Sequence, residues 1–238
     1  MQNPLRILYP NQCIACGGLV ESAHGLCGAC WTETPFISGL VCDGCSLPLI
    51  GEEDGLRSVC DECMTDPPPW DHATAIMSYR DTARRMVLQL KHGDRLDLVR
   101  PAAKWMAARA SSRIDVETCL VPVPLHWTRL LQRRFNQSAA LAKEICRLTG
   151  AVYCPDSVVR IRRTRPQEKM TREERRQNLE GAIRPHPRQG SRIAGRAVVL
   201  VDDVMTSGAT LRASAMAAKE AGARSVSVLV LARVVKDG

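Results

Sequence analysis

Residues 198–210 read Val-Val-Leu-Val-Asp-Asp-Val-Met-Thr-Ser-Gly-Ala-Thr, and this stretch decides the fold class. The apolar run 198–201 predicts a strand buried on both faces. Two carboxylates and a loop of small and hydroxyl side chains follow, and then a predicted helix over 211–221 that Gly222 closes. Ligands of open α/β sheets bind at the carboxyl ends of strands, where a helix N-terminus offers unpaired amides to a phosphate. The stretch therefore predicts a phosphate-binding loop in a parallel α/β fold.

The side chains of this loop suit a phosphorylated sugar. Thr206, Ser207 and Thr210 supply hydroxyl donors, and Gly208 lets the backbone approach a ligand closely. Adjacent carboxylates suit sugar hydroxyls, or Mg²⁺ through water, better than they suit a phosphate. A capped helix after a buried strand would explain one acid or hydroxyl, but not the whole set. A Walker loop is excluded because the Gly-Lys-Ser/Thr ending is missing, and the Asp-x-Asp order of a phosphatase nucleophile is missing as well.

The rest of the C-terminal part alternates between strand and helix patterns. Helices are predicted over 82–92, 98–110 and 137–148 from their apolar periodicity. Strands are predicted over 73–79, 119–123 and 226–232 from short apolar runs. Such alternation favours a mainly parallel sheet flanked by helices, an α/β fold.

Eight of the eleven cysteines form four Cys-x-x-Cys pairs before residue 70. Two thiolates separated by two residues bind one metal ion from a single tight turn, and Zn²⁺ takes four such ligands. Two structural four-cysteine zinc sites are therefore predicted, with iron–sulfur ligation and redox or disulfide use as the alternatives. The predicted ligands are Cys13, Cys16, Cys27, Cys30, Cys42, Cys45, Cys60 and Cys63.

The pairing of the cysteines follows from chain entropy. Sequential pairing, 13/16 with 27/30 and 42/45 with 60/63, closes shorter loops than crossed pairing and is favoured over it. We expect a short hairpin between the two pairs of each unit, and too few gathered apolar residues for a core without metal. Cys119, Cys146 and Cys154 lack the spacing of ligands and are predicted to be buried small residues.

Charge and composition divide the chain at the proline-rich segment 66–70, Asp-Pro-Pro-Pro-Trp. Residues 1–70, the predicted double zinc ribbon, carry two basic and nine acidic side chains, whereas residues 71–238 have a net charge of +15. The segment 129–176 alone holds thirteen basic and five acidic residues. The net charge of +8 over 238 residues favours a polyanionic partner, either nucleic acid or a phosphate ester. No membrane span or signal peptide is recognisable, so a cytoplasmic protein is expected.

Residues 198–210 resemble the phosphoribosyl pyrophosphate (PRPP) motif of type I phosphoribosyltransferases. The resemblance implies that Asp202 and Asp203 hold the ribose hydroxyls of PRPP, which is bound with Mg²⁺. It also implies that the segment 206–210 cradles the 5-phosphate. The phosphate-cradling residues would be Thr206, Ser207, Gly208, Ala209 and Thr210.

Nearly the whole chain resembles the ComF family of competence-type proteins. The likeness rests on the double zinc ribbon, the Pro-Pro-Trp connector, the stretch 79–96 with Lys91, the Val-Pro-Val-Pro region and the Phe-Asn-Gln signature at 135–137. It implies a pyrophosphate loop that includes Val123, Pro124 and Arg129, and a flexible loop over 167–178. Arg134 stands where the family usually has glycine, which adds a cation at that point.

The resemblance leaves two functions open. The first is a phosphoribosyltransferase, an enzyme of the glycosyltransferase class that releases pyrophosphate from Mg²⁺-PRPP. The second is a protein without turnover that binds PRPP or single-stranded DNA. In that role it would support DNA uptake, recombination or the use of DNA as a nutrient, with competence or recombination proteins as partners. Fold alone does not decide between them, and the acceptor and the catalytic residues stay unassigned.

Overall fold

The computed structural model describes residues 10–21, 25–92, 95–126, 135–164 and 170–235. Five strands form a sheet in the order β1-β7-β6-β2-β3, and every neighbouring pair is parallel. The predicted α/β class with a mainly parallel sheet is therefore confirmed. The strands are β1 His72–Ser78, β2 Cys119–Pro122, β3 Val152–Tyr153, β6 Ala197–Met205 and β7 Ser225–Arg233.

The described helices connect and flank these strands. The helices predicted from periodicity are present with ends that differ by one or two residues. Pro101 lies in the first turn of its helix, where its missing amide costs no hydrogen bond. The helices are α1 Gly28–Glu33, α2 Asp61–Thr65, α3 Asp81–His92, α4 Val99–Arg109, α5 Gln137–Thr149, α6 Arg172–Leu179 and α7 Ala209–Glu220, with 3₁₀ turns at Leu96–Leu98 and Gly190–Ile193.

Strand β6 is longer than the apolar run predicts. It continues through both carboxylates to Met205, because the backbone of Asp202 to Met205 keeps its pairing with β7. Only residues 198–201 are apolar enough to signal a strand, so its polar end is not recognisable from hydropathy. The carboxylates therefore lie on a rigid strand rather than on a loop, which fixes their position.

A small antiparallel sheet lies outside the main one and escapes the sequence prediction. It pairs β4 Val158–Arg160 with β5 Ile183–Pro185, strands of three residues that are too short for a periodic pattern. Between them, helix α6 begins with a capping box, since the side chains of Thr171 and Glu174 each accept a hydrogen bond from the backbone amide of the other residue.

The cysteine-rich segment, which comprises the described residues before β1, packs along the outer edge of that strand. The amides of Ala73 and Ala75 donate to the Asp43 carbonyl and the Ser46 hydroxyl, at 2.8 and 2.9 Å. Further along, the Ser78 amide donates to the Pro35 carbonyl. Edge strands expose unpaired backbone groups, and here the cysteine-rich segment covers them.

The two cysteine units repeat one another in structure. In each, an antiparallel bridge closes the turn of the first pair, Gln12 to Leu19 in one unit and Val41 to Pro48 in the other. The second pair then lies at the start of the short helices α1 and α2. The expected hairpin therefore encloses the first cysteine pair rather than joining the two pairs. No helix in the described part of the chain is long and apolar enough to cross a membrane.

Candidate functional site

Eight cysteines form two four-cysteine zinc-binding sites. In each, the four Sγ atoms lie within 4.8 Å of one another. The geometry confirms the sequential pairing. The first zinc site combines Cys13, Cys16, Cys27 and Cys30, and the second zinc site combines Cys42, Cys45, Cys60 and Cys63.

The sulfur positions fit a tetrahedral zinc ion. Thiolates about 2.3 Å from a tetrahedral zinc lie about 3.8 Å from one another. The Sγ atoms of Cys16 and Cys27 are 3.8 Å apart, and those of Cys45 and Cys60 are 3.7 Å apart. These two distances match those expected for a zinc ion in each cluster.

Backbone amides and neighbouring thiols prepare the sulfurs for a cation. The amide of Cys27 donates to the Cys13 sulfur, and the amide of Cys60 donates to the Cys42 sulfur, both at 3.3 Å. A hydrogen bond from the Cys45 thiol, together with amide donors, lowers the pKa of Cys42 to about 4. The same thiol contact, together with burial, raises the pKa of Cys45. Four thiolates at this spacing repel one another, and a divalent cation removes that repulsion.

Metal analysis of the purified protein should give two zinc ions per chain. Exchanging Cys63 for serine should remove one ion, because a structural zinc site needs its four ligands. Cys146→Ser should keep both ions, since Cys146 is buried outside either site. Mass spectrometry under native conditions measures the stoichiometry, and one ion or none in the wild type would contradict the two sites.

Asp202 and Asp203 form a carboxylate pair near the carboxyl end of β6. The Ser138 hydroxyl donates to Asp202 Oδ1 at 2.7 Å, and Lys91 Nζ lies 3.1 Å from Asp203 Oδ1. Helices α3 and α5 each contribute one of these partners, so three elements meet at the pair. Asp203 and Lys91 are both largely buried, which strengthens their attraction.

The protonation of Asp202 is tuned by its surroundings. Burial, and after it the charge of Asp203, raises the pKa of Asp202 to about 7, against the opposing effects of Ser138 and Lys91. Two carboxyl groups side by side resist joint ionisation in a buried site. Asp202 therefore changes its charge near neutral pH.

The predicted phosphate loop lies between β6 and α7. Gly208 adopts φ +74°, a left-handed conformation that glycine adopts without strain, and serves as the N-cap of α7. Ala209 and Thr210 form the first turn of that helix, and the Thr206 side chain is exposed. The Ser207 hydroxyl is buried and has no hydrogen-bond partner among the described residues. A buried donor without a partner costs free energy, which a ligand oxygen would recover.

Part of the predicted pyrophosphate loop lies next to the carboxylates. Val123 and Pro124 follow β2, the neighbour of β6, and the Val123 amide donates to the Val201 carbonyl at 2.9 Å. The Asn136 side chain donates to the Val123 carbonyl and caps α5 by accepting two amides. Arg129, Arg133, Arg134 and Gln167 lie outside the described residues.

The sequence analysis assigns no role at the site to two partners of the carboxylate pair, Lys91 and Ser138. Lys91 has a recognisable signal, because it lies four residues after Val87 on the apolar face of α3, where a cation is unexpected. Ser138 has none, since a serine in the first turn of a helix is ordinary. Their place in the site comes from tertiary packing.

Comparison with known proteins gives two domain matches and several relatives over nearly the full length. Residues 4–64 match the double zinc ribbon domain, and residues 136–237 match the phosphoribosyl transferase domain. DNA utilization protein YhgH of Salmonella typhi is 29% identical, over 96% of this chain and 100% of that protein. Competence protein F of Haemophilus influenzae is 27% identical (93% and 96% covered), and Competence protein ComFC of Bacillus subtilis is 26% identical (90% and 87% covered).

Proposed function

The chain belongs to the ComF family, and on that basis we propose that it binds Mg²⁺-PRPP and transfers the phosphoribosyl group with release of pyrophosphate. The observation that carries the proposal is the carboxylate pair at the end of β6, followed by a loop whose buried Ser207 hydroxyl has no hydrogen-bond partner in the described part of the chain. A sugar phosphate satisfies both features at once, because it has hydroxyl donors for the acids and phosphate oxygens for the loop.

In this reaction a nucleophile of the acceptor attacks the anomeric carbon of PRPP. The bond from that carbon to pyrophosphate breaks, the electron pair leaves with pyrophosphate, and the acceptor loses a proton. Asp202 and Asp203 hold the ribose hydroxyls, and the amides of the α7 N-terminus with the Ser207 hydroxyl hold the 5-phosphate. Bound Mg²⁺ supplies charge neutralisation at the pyrophosphate.

Calorimetric titration of the zinc-loaded protein with PRPP and Mg²⁺ tests the binding proposal. We expect saturable binding of one PRPP per chain, and the absence of heat at millimolar PRPP would refute it. Pyrophosphate release, screened across the nucleobases, then tests transfer. Binding without release for any acceptor would reduce the proposal to a PRPP-binding protein.

The affinity for PRPP should rise with pH through neutrality. The pKa of Asp202 is raised to about 7, so its ionised fraction rises about ten-fold between pH 6 and pH 8. Only the carboxylate accepts a hydrogen bond with both oxygens, so the association constant should rise by about the same factor. Titrations across this range measure it. Asp202→Asn is the control, because any pH dependence that it keeps comes from the phosphates of PRPP.

A second candidate function is binding of single-stranded DNA. Arg162, Arg163 and Arg184 are exposed on or beside the small β4–β5 sheet. Exposed arginines bind phosphates without sequence preference. Two of the relatives are named for DNA utilization and for competence, and this supports a DNA-binding surface as the second candidate.

Replacing these three arginines with glutamine should weaken single-strand binding and reduce its salt dependence. Each lost phosphate contact lowers the slope of log K against log[salt] by about 0.7, so the slope should fall by about 2. Fluorescence anisotropy with a labelled oligonucleotide at several salt concentrations measures it. Arg109→Gln, at an exposed arginine at the end of α4, is the control for the loss of one positive charge away from this sheet. An unchanged slope in the triple variant would contradict this role for the β4–β5 sheet.

A further inference from the structure

The two zinc sites pack against different parts of the fold. Ile14 of the first zinc site lies in a buried cluster with Met106 and Leu141, and its carbonyl accepts from Arg95. The second zinc site lies in a different cluster, together with Trp70 and Met205. The second zinc site therefore borders the end of β6, where the phosphate loop begins.

Arg233 joins the second zinc site to the phosphate loop. It is the last residue of β7 and is only 8% exposed. Its Nε donates to the carbonyl of Cys45 at 3.1 Å, and its Nη1 donates to the carbonyls of Met205 and Thr206. No carboxylate lies within ion-pair distance of Arg233 in the part of the chain that the structure describes. The hydrogen bonds given for this guanidinium all go to backbone carbonyls, so no acid of the described residues offsets its charge next to the loop.

Trp70 makes a second link between the phosphate loop and the turn 42–45 of the second zinc site, the zinc turn. Its indole Nε1 donates to the carbonyl of Gly44 at 2.7 Å, between the ligands Cys42 and Cys45. Its ring presses on Gly208, since a Cβ atom there would lie 3.4 Å from Cη2 of the indole. The indole therefore spans the distance between the zinc turn and the left-handed glycine of the loop.

A small cavity lies between the zinc turn and the phosphate loop, which Arg233 and Trp70 connect. It has about 20 Å³, room for one water molecule, and lies between Gly44, Cys45 and Cys63 on one side and Ser207 and Gly208 on the other. The zinc turn and the phosphate loop thus face one another across a space the size of one water molecule.

We propose that the second zinc site sets the conformation of the phosphate loop, with Arg233 as the positioning residue, and so controls the affinity for PRPP, whereas the first zinc site does not. The inference rests on the proposed function. Without metal, the four sulfurs lose the ion that joins them, so the turn 42–45 is freed, and the carbonyls that hold Arg233 and Trp70 move with it. Arg233 also places a positive charge between the phosphate and the tetrathiolate, whose net charge with zinc is −2.

Two cysteine variants compare the sites directly. Cys63→Ser removes the second zinc and Cys16→Ser the first, and both are compared with the wild type that carries two zinc ions. We expect Cys63→Ser to raise the Kd for Mg²⁺-PRPP at least about 10-fold and Cys16→Ser to change it less than about 3-fold. Amide exchange of residues 206–209 should quicken in Cys63→Ser alone. Equal effects of the two variants on Kd and on exchange would overturn the proposal.

If Cys63→Ser does not fold, variants of Arg233 test the proposal instead. Arg233→Gln should keep two zinc ions and the wild-type circular dichroism spectrum, but raise the Kd at least about 10-fold, because glutamine cannot reach both carbonyl sets. Arg233→Lys should recover part of the affinity through its charge. Wild-type affinity in Arg233→Gln would overturn the proposal. If the wild type itself binds no PRPP, the proposed function fails, and faster exchange at 206–209 in Arg233→Gln still decides whether Arg233 sets the conformation of the loop.

Discussion

Replacing Asp202 and Asp203 together with asparagine should lower the affinity for Mg²⁺-PRPP at least about 100-fold. Asparagine keeps the shape of the side chain but has no charge, and its amide presents donors where the ribose hydroxyls need acceptors. Each charge-assisted hydrogen bond contributes about 1.5–3 kcal/mol, so the loss of two accounts for a factor of about 100 or more. Calorimetry on the double variant, with Mg²⁺ and PRPP at the concentrations used for the wild type, measures the effect.

The matched control is Glu52→Gln/Glu53→Gln, another pair of adjacent acids. Both are exposed and lie in the cysteine-rich segment, away from β6. This variant changes the net charge by the same amount, so it removes any general electrostatic effect from the comparison. Binding that is equal in the two double variants would refute the assignment of the carboxylate pair to PRPP.

The single variant Asp202→Asn separates loss of the site from loss of the fold. The pKa of Asp202 is raised from 3.8 to about 7 in the folded protein, so folding favours its protonated form. The stability that this carboxyl contributes is complete below pH 4 and is lost as the pH rises through 7. An amide cannot ionise, so the variant should melt at the same or a higher temperature than the wild type at pH 8. Weak PRPP binding in a protein that melts no lower identifies a functional defect.

Most of the fold follows from local patterns. The strand and helix around residues 198–221 are predictable because a doubly buried strand, a glycine turn and an amphipathic helix each have a short-range signature. The four Cys-x-x-Cys pairs likewise predict both zinc sites, since loop entropy favours neighbours along the chain. The short strands β3, β4 and β5 give no such signal, because two or three residues cannot display a period. The domain boundary at residue 70 stays a prediction.

The candidate site is less predictable, because its parts are far apart in the chain. Asp203 and Lys91 are separated by more than a hundred residues, and only the arrangement of α3 against β6 brings them within 3.1 Å. The role of Arg233 is not predictable from the sequence, for a different reason. An arginine that ends an apolar strand usually reaches solvent, whereas here the zinc turn covers the end of β7. Contacts of this kind depend on how the cysteine-rich segment packs, which no local pattern encodes.

Removing both zinc ions should expose the outer edge of β1. The amides of Ala73, Ala75 and Ser78 donate to residues of the cysteine-rich segment, which a chelator would unfold. Their exchange with deuterium should quicken at least about 100-fold, because these bonds have no other partner in the sheet. An exposed edge strand also pairs with other chains, so the metal-free protein should self-associate, as light scattering would show.

Leu200 provides the internal control for this experiment. It lies on β6, which is paired on both sides by β2 and β7, and its hydrogen bonds involve no residue of the cysteine-rich segment. Its amide should therefore stay protected in the metal-free protein while the β1 edge exchanges. Equal protection of Ala73 with and without zinc would show that the segment holds its place without metal. Loss of protection at Leu200 and Ala73 together would show that zinc stabilises the whole sheet rather than its edge.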